Sequence, residues 1–337
     1  MINEIVQRAC PTPKRGGYTR NDQISMGWRQ RLPASRSPLA ATLAGFTFSA
    51  AALAAPPRYT LTSFDVPGAS AQLGGTLANG INDRGEIVGI YGNSSRGGSS
   101  GFLYSRGKFT SLDHPEAGSL TSANGIDNRG EIVGDFFDTS SKVRGFVLTT
   151  GHYVTIDVPG GTTLSTSAEG INNRGTNIVG IFTVPRGNGQ QLARGFLLKK
   201  GVFTTIVVPN TDQTYAIGVN NSGEIVGEFV RTPSSLTESF LYKRGVFSAV
   251  SPPSSKVTQA LGINDAGQTV GVFLDNDGAF HGFVETRGSF VNVEFPGSVN
   301  TEVHGINDSG QIVGGWEDTD GGEHGFIGTP VEGVASR

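Results

Sequence analysis

The stretch GINDRGEIVG, Gly80 to Gly89, returns five times: GIDNRGEIVG from Gly125, GINNRGTNIVG from Gly170, GVNNSGEIVG from Gly218, GINDAGQTVG from Gly262 and GINDSGQIVG from Gly305. Successive starts are 45, 45, 48, 44 and 43 residues apart. A period of this size marks one supersecondary unit that cannot bury its apolar face alone and stacks against copies of itself. The many glycines are locked to repeat positions, so they report turns and not disorder.

Outward from the repeat, each unit reads as four short strands. In Ser122–Pro159 the runs SANGIDN, GEIVGDFF, GFVLTT and YVTIDVP are separated by NRG, by the polar loop DTSSKVR and by the tight turn TTGH. The runs are rich in Val, Ile, Phe and Thr and bounded by Gly, Asn, Asp or Pro. No segment after residue 55 keeps a helical period over the length a helix needs. The glycine of N-D-x-G is expected at positive φ, as in a short hairpin closed by a bulge, and the SRGK, TTGH, KKGV, KRGV and TRGS turns close a second hairpin. Runs such as IVGIYG are apolar on both faces, which requires each sheet to be covered on both sides by its neighbours.

The two ends of the repeat region complement each other. The last repeat stops after GFIGTP, Gly325 to Pro330, without a fourth strand, and RYTLTSFDVPG, Arg58 to Gly68, is a fourth strand with nothing before it. Together they complete a sixth sheet. The expected fold is all-β, a six-bladed β-propeller of four-stranded blades over residues 56–330, its ring closed by the N-terminal strand. Residues 331–337 form a short tail.

Residues 1–55 differ in kind. They carry seven basic residues against two acidic ones, then the apolar run LAATLAGFTFSAAALAA ending in Ala52-Leu53-Ala54. Basic region, apolar region and A-x-A describe a secretory signal peptide cleaved near Ala55. The Ala-rich run is short for a span, so no stable membrane insertion is expected after cleavage, and the location is periplasmic or extracellular. A second start at Met26 gives a leader of ordinary length. The chain carries −3 and its leader +5, leaving −8 on the body. An acidic body argues against nucleic acid as partner, which needs a basic footprint. The single cysteine, Cys10, lies in the leader, so packing and closure must stabilise the body without a disulfide.

The alternation GIN-D/N-x-G-x-IVG, then GF, a glycine turn and an apolar strand ending in Pro resembles the bacterial extracellular HAF repeats. The resemblance covers essentially the whole body, although the triplet before Phe is HGF at His281 and His324, RGF at Arg144 and Arg194 and SGF at Ser100. It implies export and a propeller-like fold, and no settled activity.

Two connections per repeat are tight and two are long, and alternate connections of a propeller emerge on one face. Binding usually lives on such variable loops over a rigid scaffold. The residues just before the GIN glycines are Asn79, Asn124, Glu169, Ile217, Leu261 and His304. If the first strand is innermost, Asn79, Asn124, Glu169 and His304 converge near the axis and could bind a sugar or act as acid and base. A water-filled, polar channel mouth is the plainer account of the same column. The column after IVG places Asp135 and Glu228 among apolar residues, one carboxylate per blade at different angles, which is not an acid/base pair. The next column, Tyr91 to Trp316, reads as core between blades.

Other motifs carry less. Gly97–Gly101 fits G-x-S-x-G without the strand–turn–helix context the nucleophile needs. Asp275 and Asp277, with Asp318 and Asp320, look like fragments of a calcium loop, but the completing Glu is missing in both and a turn built by Asp and Gly explains them. The histidines show no metal-ligand spacing, and no motif calls for a cofactor. The expected function is a monomeric, exported binding or interaction module, with a glycan or cell-surface component as partner. The alternatives are a polysaccharide lyase or hydrolase working at the channel mouth and a structural surface-layer component.

Overall fold

The computed structural model describes residues 58–331, apart from 188 and 232–235. The chain separates into two compact units, Met1–Ala55 and Pro56–Arg337, and every described residue belongs to the second. The leader with its apolar run and Cys10, and residues 332–337 of the tail, lie outside the described residues.

Twenty-four strands and one three-residue 3-10 turn make up the described chain, without an α-helix. Strand β1 (Arg58–Phe64) comes first. The repeats follow as β2 (Thr76–Ile81), β3 (Ile87–Asn93), β4 (Gly98–Ser105) and β5 (Lys108–Leu112), then β6 (Ala117–Ile126), β7 (Ile132–Asp138), β8 (Val143–Thr149) and β9 (His152–Ile156). Next come β10 (Ser165–Ile171), β11 (Asn177–Gly187), β12 (Gln190–Lys199) and β13 (Val202–Ile206), then β14 (Gln213–Val219), β15 (Ile225–Val230), β16 (Thr237–Lys243) and β17 (Val246–Val250). The last are β18 (Val257–Ile263), β19 (Thr269–Leu274), β20 (Phe280–Thr286) and β21 (Ser289–Val293), with β22 (Asn300–Ile306), β23 (Ile312–Glu317) and β24 (Glu323–Val331).

Each repeat is an antiparallel four-stranded meander in chain order, and one parallel bridge, Ser99 to Leu120, stitches the first repeat to the second. The last sheet runs β1-β24-β23-β22, so the N-terminal strand supplies the fourth strand that the final repeat lacks. Their register runs from Arg58–Val331 to Phe64–Gly325, which carries the strand one residue past Pro330. Beyond the ladder, Trp316 Nε1 donates to Ser63 Oγ at 3.0 Å, and His324 Nδ1 lies 2.9 Å from Asp65.

Three glycine columns explain the spelling of the repeat. The first, Gly80 and its equivalents, lies where inner strands of successive repeats pass closest. A Cβ on Gly80 would press on Gly125, one on Gly218 on Gly262, and one on Gly305 back on Gly80. The second, Gly85 and its equivalents, has φ of +62 to +86°, the region only glycine enters without strain. The third, the glycine of IVG, faces the carbonyl of the paired inner strand and the ring of the buried GF phenylalanine, where no side chain fits.

The asparagine of GIN ties one repeat to the next. Its side chain accepts amides of its own turn and donates to the backbone of the following repeat: Asn82 to the Asp127 carbonyl at 2.9 Å, Asn220 to Asn264 at 3.1 Å, Asn264 to Asn307 at 3.0 Å. Asn307 donates to the Asn82 carbonyl at 3.1 Å, joining the last repeat to the first. A buried threonine of the inner strand works at the other end. Thr76, Thr121, Thr166, Thr214 and Thr301 each accept the amide of the loop that leaves the preceding outer strand.

The core lies between sheets. Phe102, Phe146, Phe196, Phe283 and Phe326 of the GF triplets, and Phe240 of the equivalent Ser239-Phe240, are fully buried, and five of the six pack an aromatic of the outer strand at 5.2–5.7 Å. Phe136, Phe182, Phe229 and Phe273 are buried as the sequence leads one to expect of an inter-sheet column. The 3→4 hairpins are two-residue turns in which both residues have positive φ, so Arg106, Thr150, Lys200, Arg244 and Arg287 sit at +48 to +53°. That is the type I′ geometry whose twist suits a hairpin, adopted here with a non-glycine in the first place.

Candidate functional site

The first strand of each repeat borders an axial cavity. Its walls are the same triplet from all six inner strands, beginning with Asn79, Asn124, Glu169, Ile217, Leu261 and His304, and its volume open to a water-sized sphere is about 70 Å³. That volume holds a few waters and is too small for a sugar ring. The column read from the sequence therefore does converge on one space. A β-bulge in each inner strand, between Ala78 and Gly80 and at the equivalent places, sets these residues out of the alternation and aims them away from the inter-sheet core.

At the turn end the residues after GIN close the space. The Asp83 amide is bonded to Asn128, Asn221 to Asp265, Asp265 to Asp308 and Asp308 back to Asp83. Asn173 donates to Asp308 at 2.8 Å and, more weakly, to Asp83 at 3.3 Å. This end is a ring of bonded Asx side chains.

Above the cavity, on the loop side, lies the charged cluster. Asp135 projects from the middle of β7 and Glu169 from the bulge of β10. The Ser167 hydroxyl stands 3.1 Å from Asp135 Oδ1 and 2.6 Å from Glu169 Oε1. Asn124 Nδ2 donates to Asp135 Oδ1 at 2.9 Å and reaches Glu169 Oε2 at 3.4 Å. A hydroxyl has one hydrogen, so it can donate to only one of the two carboxylates; the other contact is favourable only if that carboxyl is protonated. Burial and the missing cation both favour this. Desolvation raises Asp135 to about 6, and desolvation together with the charge of Asp135 raises Glu169 to about 7. Asp135 Oδ2 is buried without a hydrogen-bond partner.

Glu228 stands alone on the next repeat, bonded to Gln259 Nε2 at 2.7 Å and raised by burial to about 7. On the far side His304 lies 3.1 Å from Glu302 and 3.3 Å from Asn79. No Lys or Arg bonds to Asp135, Glu169, Glu228 or Glu302 among the described residues.

Asn79, Asn124, Glu169 and His304 line the cavity, Asp135 joins Glu169 from the neighbouring column through Asn124 and Ser167, and Glu228 stands apart on Gln259. Asn79 and Asn124 also have a structural task, donating to the Ala123 and Ala168 carbonyls of the next inner strand at 3.1 Å. Ser122, Ser167, Gln259 and Glu302 were missed. They share one repeat column, two residues before the bulge, and a tabulation of that column beside the GIN glycine would have found them.

The calcium-loop fragments are turns. Asp275 Oδ1 accepts the amides of Asp277, Gly278 and Ala279, and its other oxygen meets His281 at 3.0 Å. Asp318 accepts from Asp320 and Gly322 and meets His324 at 3.2 Å. Among the described residues no group of three or more His, Cys, Asp and Glu is arranged to hold a metal ion. Ser99 and Ser100 of G-x-S-x-G are buried within β4. No helix of the described residues is long and apolar enough to cross a membrane.

No family model and no curated protein matches the chain. Solved structures do. The β-propeller domain of the Trilobed protease from Pyrococcus furiosus, described as having an open velcro topology, superposes with a TM-score of 0.51 at 11% identity, over 76% of this chain and 84% of that one. TolB from Acinetobacter baumannii gives 0.49 at 12% identity, over 73% of this chain and 64% of its own. The Aleuria aurantia lectin, a six-bladed β-propeller with a fucose recognition mode, gives 0.47 at 9% identity, over 80% and 91%. At these identities the likeness is one of fold: the chain is a repeat protein of β-propeller type.

Proposed function

We propose that the chain is an exported, HAF-type, six-bladed β-propeller closed by β1, and that it works as a binding module for a polar ligand at the loop-side mouth of its channel. The bonds from Asn82, Asn220 and Asn264 to the next repeat, and from Asn307 back to Asn82, support the six-fold ring, and the β1–β24 ladder supports its closure. The observation that carries the binding reading is the convergence of Asn124, Glu169 and His304 on one cavity, with Asp135 and Glu228 close by and, among the described residues, no Lys or Arg bonded to the three carboxylates. With little room inside, a ligand meets the mouth and the loops around it rather than filling the channel. A glycan and polysaccharide array tests the carbohydrate class, with Glu169→Gln as the control that any true hit must lose. Silence on every array would leave that class without support.

One observation favours catalysis as a second reading. Asp135 and Glu169 share a single hydroxyl and titrate near 6 and 7, where one acid and one base coexist at neutral pH. Turnover of an array hit, lost in Asp135→Asn, would establish a lyase or hydrolase instead of a module.

A further inference from the structure

We propose that the polar ligand of this mouth is a primary alkylammonium group, presented as a lysine side chain of a basic peptide segment. The inference rests on the binding reading above and narrows its ligand. Three independent observations carry it.

The first is an unmet electrostatic demand. Asp135 and Glu228 are 4% and 5% exposed, Glu169 lies beside them, and among the described residues no Lys or Arg bonds to any of the three. Buried carboxylates ordinarily find a cation or a full set of donors. Here Asp135 Oδ2 is buried with neither. An ammonium brings three donors and one positive charge, and beside Glu169, which lines the cavity, it would offset the charge of the cluster.

The second is fit. The site lacks the grouping of three or more ligands that a chelated metal needs. Its cavity of about 70 Å³, lined in part by Glu169 and His304, has room for an ammonium head, which is about the size of a water, and excludes a sugar ring. Glu169, the most exposed of the three carboxylates, would meet the ammonium first, with Glu302 and His304 across the mouth.

The third is the surrounding field. The loop-side connections carry ten Asp and Glu against four Lys and Arg, whereas the turn-side connections carry seven of each. The mouth thus opens on the acidic face, which steers a cationic partner toward it and repels an anionic one.

The chemistry also fixes the pH response. The titratable groups around the mouth are Asp135 on β7, Glu169 on β10, Tyr215 on β14, Glu228 on β15, Glu302 and His304 on β22, and Glu323 on β24. Since burial raises Asp135 to about 6 and Glu169 and Glu228 to about 7, a bound cation expels protons from them near neutrality. Affinity must therefore fall as pH drops from 8 to 5.

The test uses the full chain and fluorescent tetralysine, with tetraglutamate as the opposite charge, in anisotropy titrations at low and high salt. Tetralysine should bind and tetraglutamate should not. Affinity should drop at least about tenfold in the double variant Asp135→Asn, Glu228→Gln, as for loss of desolvated charge pairs, and stay within about twofold in Asp320→Asn, an exposed loop acid. Calorimetry at pH 6.5 in buffers of different ionisation enthalpy should show proton release on binding, a readout that a purely structural role would not move. Tetralysine affinity that survives the double variant overturns the assignment, as does the absence of proton release. A glycan that binds and is lost in Glu169→Gln, while tetralysine fails, overturns it too and leaves the binding module intact. A glucosamine tetramer binding in place of tetralysine would move the ammonium from a peptide to an amino sugar and refute the peptide partner.

Discussion

Replacing Glu228 with Gln should stabilise the protein at pH 8 and cost it a little stability at pH 4. Glu228 is 5% exposed, its only side-chain donor among the described residues is Gln259, and burial raises it from 4.5 to about 7. Its folded-state pKa thus exceeds the unfolded one. Between the two values the folded form holds a proton that the unfolded form has released. Stability from this group is complete below about 4.5, falls as pH rises toward 7, and is flat above. At about 1.36 kcal/mol per unit, burying the charge costs on the order of 3 kcal/mol at pH 8. Glutamine keeps the shape and can still accept from Gln259, but its own NH₂ lacks an evident acceptor, which returns about 1–2 kcal/mol. The net gain is then roughly 1–2 kcal/mol, or about 2–8 °C in Tm for a chain of this size. Thermal unfolding of both proteins at pH 4, 6 and 8 reads the difference directly. A variant less stable than the parent at pH 8, or a difference that is the same at pH 4 and pH 8, would refute the account of a buried, unpaired charge.

Four further outcomes follow from other parts of the fold. Thr269 is fully buried with an unpartnered hydroxyl where Ile87, Ile132, Ile225 and Ile312 stand in other repeats, so Thr269→Val should raise stability by about 1 kcal/mol in urea unfolding; a loss would mean that the hydroxyl is satisfied. Thr150 is β-branched at φ +48°, and Thr150→Asn should relieve about 1 kcal/mol of backbone strain in the same assay, with no gain counting against the type I′ turn. Deleting Arg58 to Gly68 removes Leu61, Phe64 and Val66 from two inter-sheet clusters; at ~1.5–3 kcal/mol per fully buried apolar side chain the chain should be largely unfolded or oligomeric by circular dichroism and light scattering, and unchanged monomeric unfolding would dismiss closure by β1. Burial pulls His324 down, but hydrogen bonds and charge from Asp65 and Asp318 outweigh it and leave its pKa raised; its contribution is present below the unfolded value and lost as pH rises through the folded one, so the stability deficit of His324→Gln should be larger at pH 5.5 than at pH 8, and an equal deficit would show the ring acts by packing alone.

Glu169 and His304 are each hydrogen-bonded to a partner that truncation would strand. Alanine at either place would perturb folding along with binding, which is why amide replacements make the better probes.

What the sequence determined by itself is whatever repeats. The period, the four strands per unit, the turn glycines, the GF and aromatic core columns and the complementary ends are all legible, because each is a local demand of backbone or burial met six times over. The face that carries the long connections could be placed in advance for the same reason: the short and long connections alternate. The site itself departs from the repeat, and there the one-dimensional reading stops. Asp135 and Glu169 stand 34 positions apart in different columns, and no periodicity relates them. They meet because a bulge redirects Glu169 while sheet packing brings β7 beside β10, leaving the Ser167 hydroxyl between their oxygens. Their protonation, the orphaned oxygen of Asp135 and the lack of a cation within reach depend on distance and desolvation, which only the packed sheets decide.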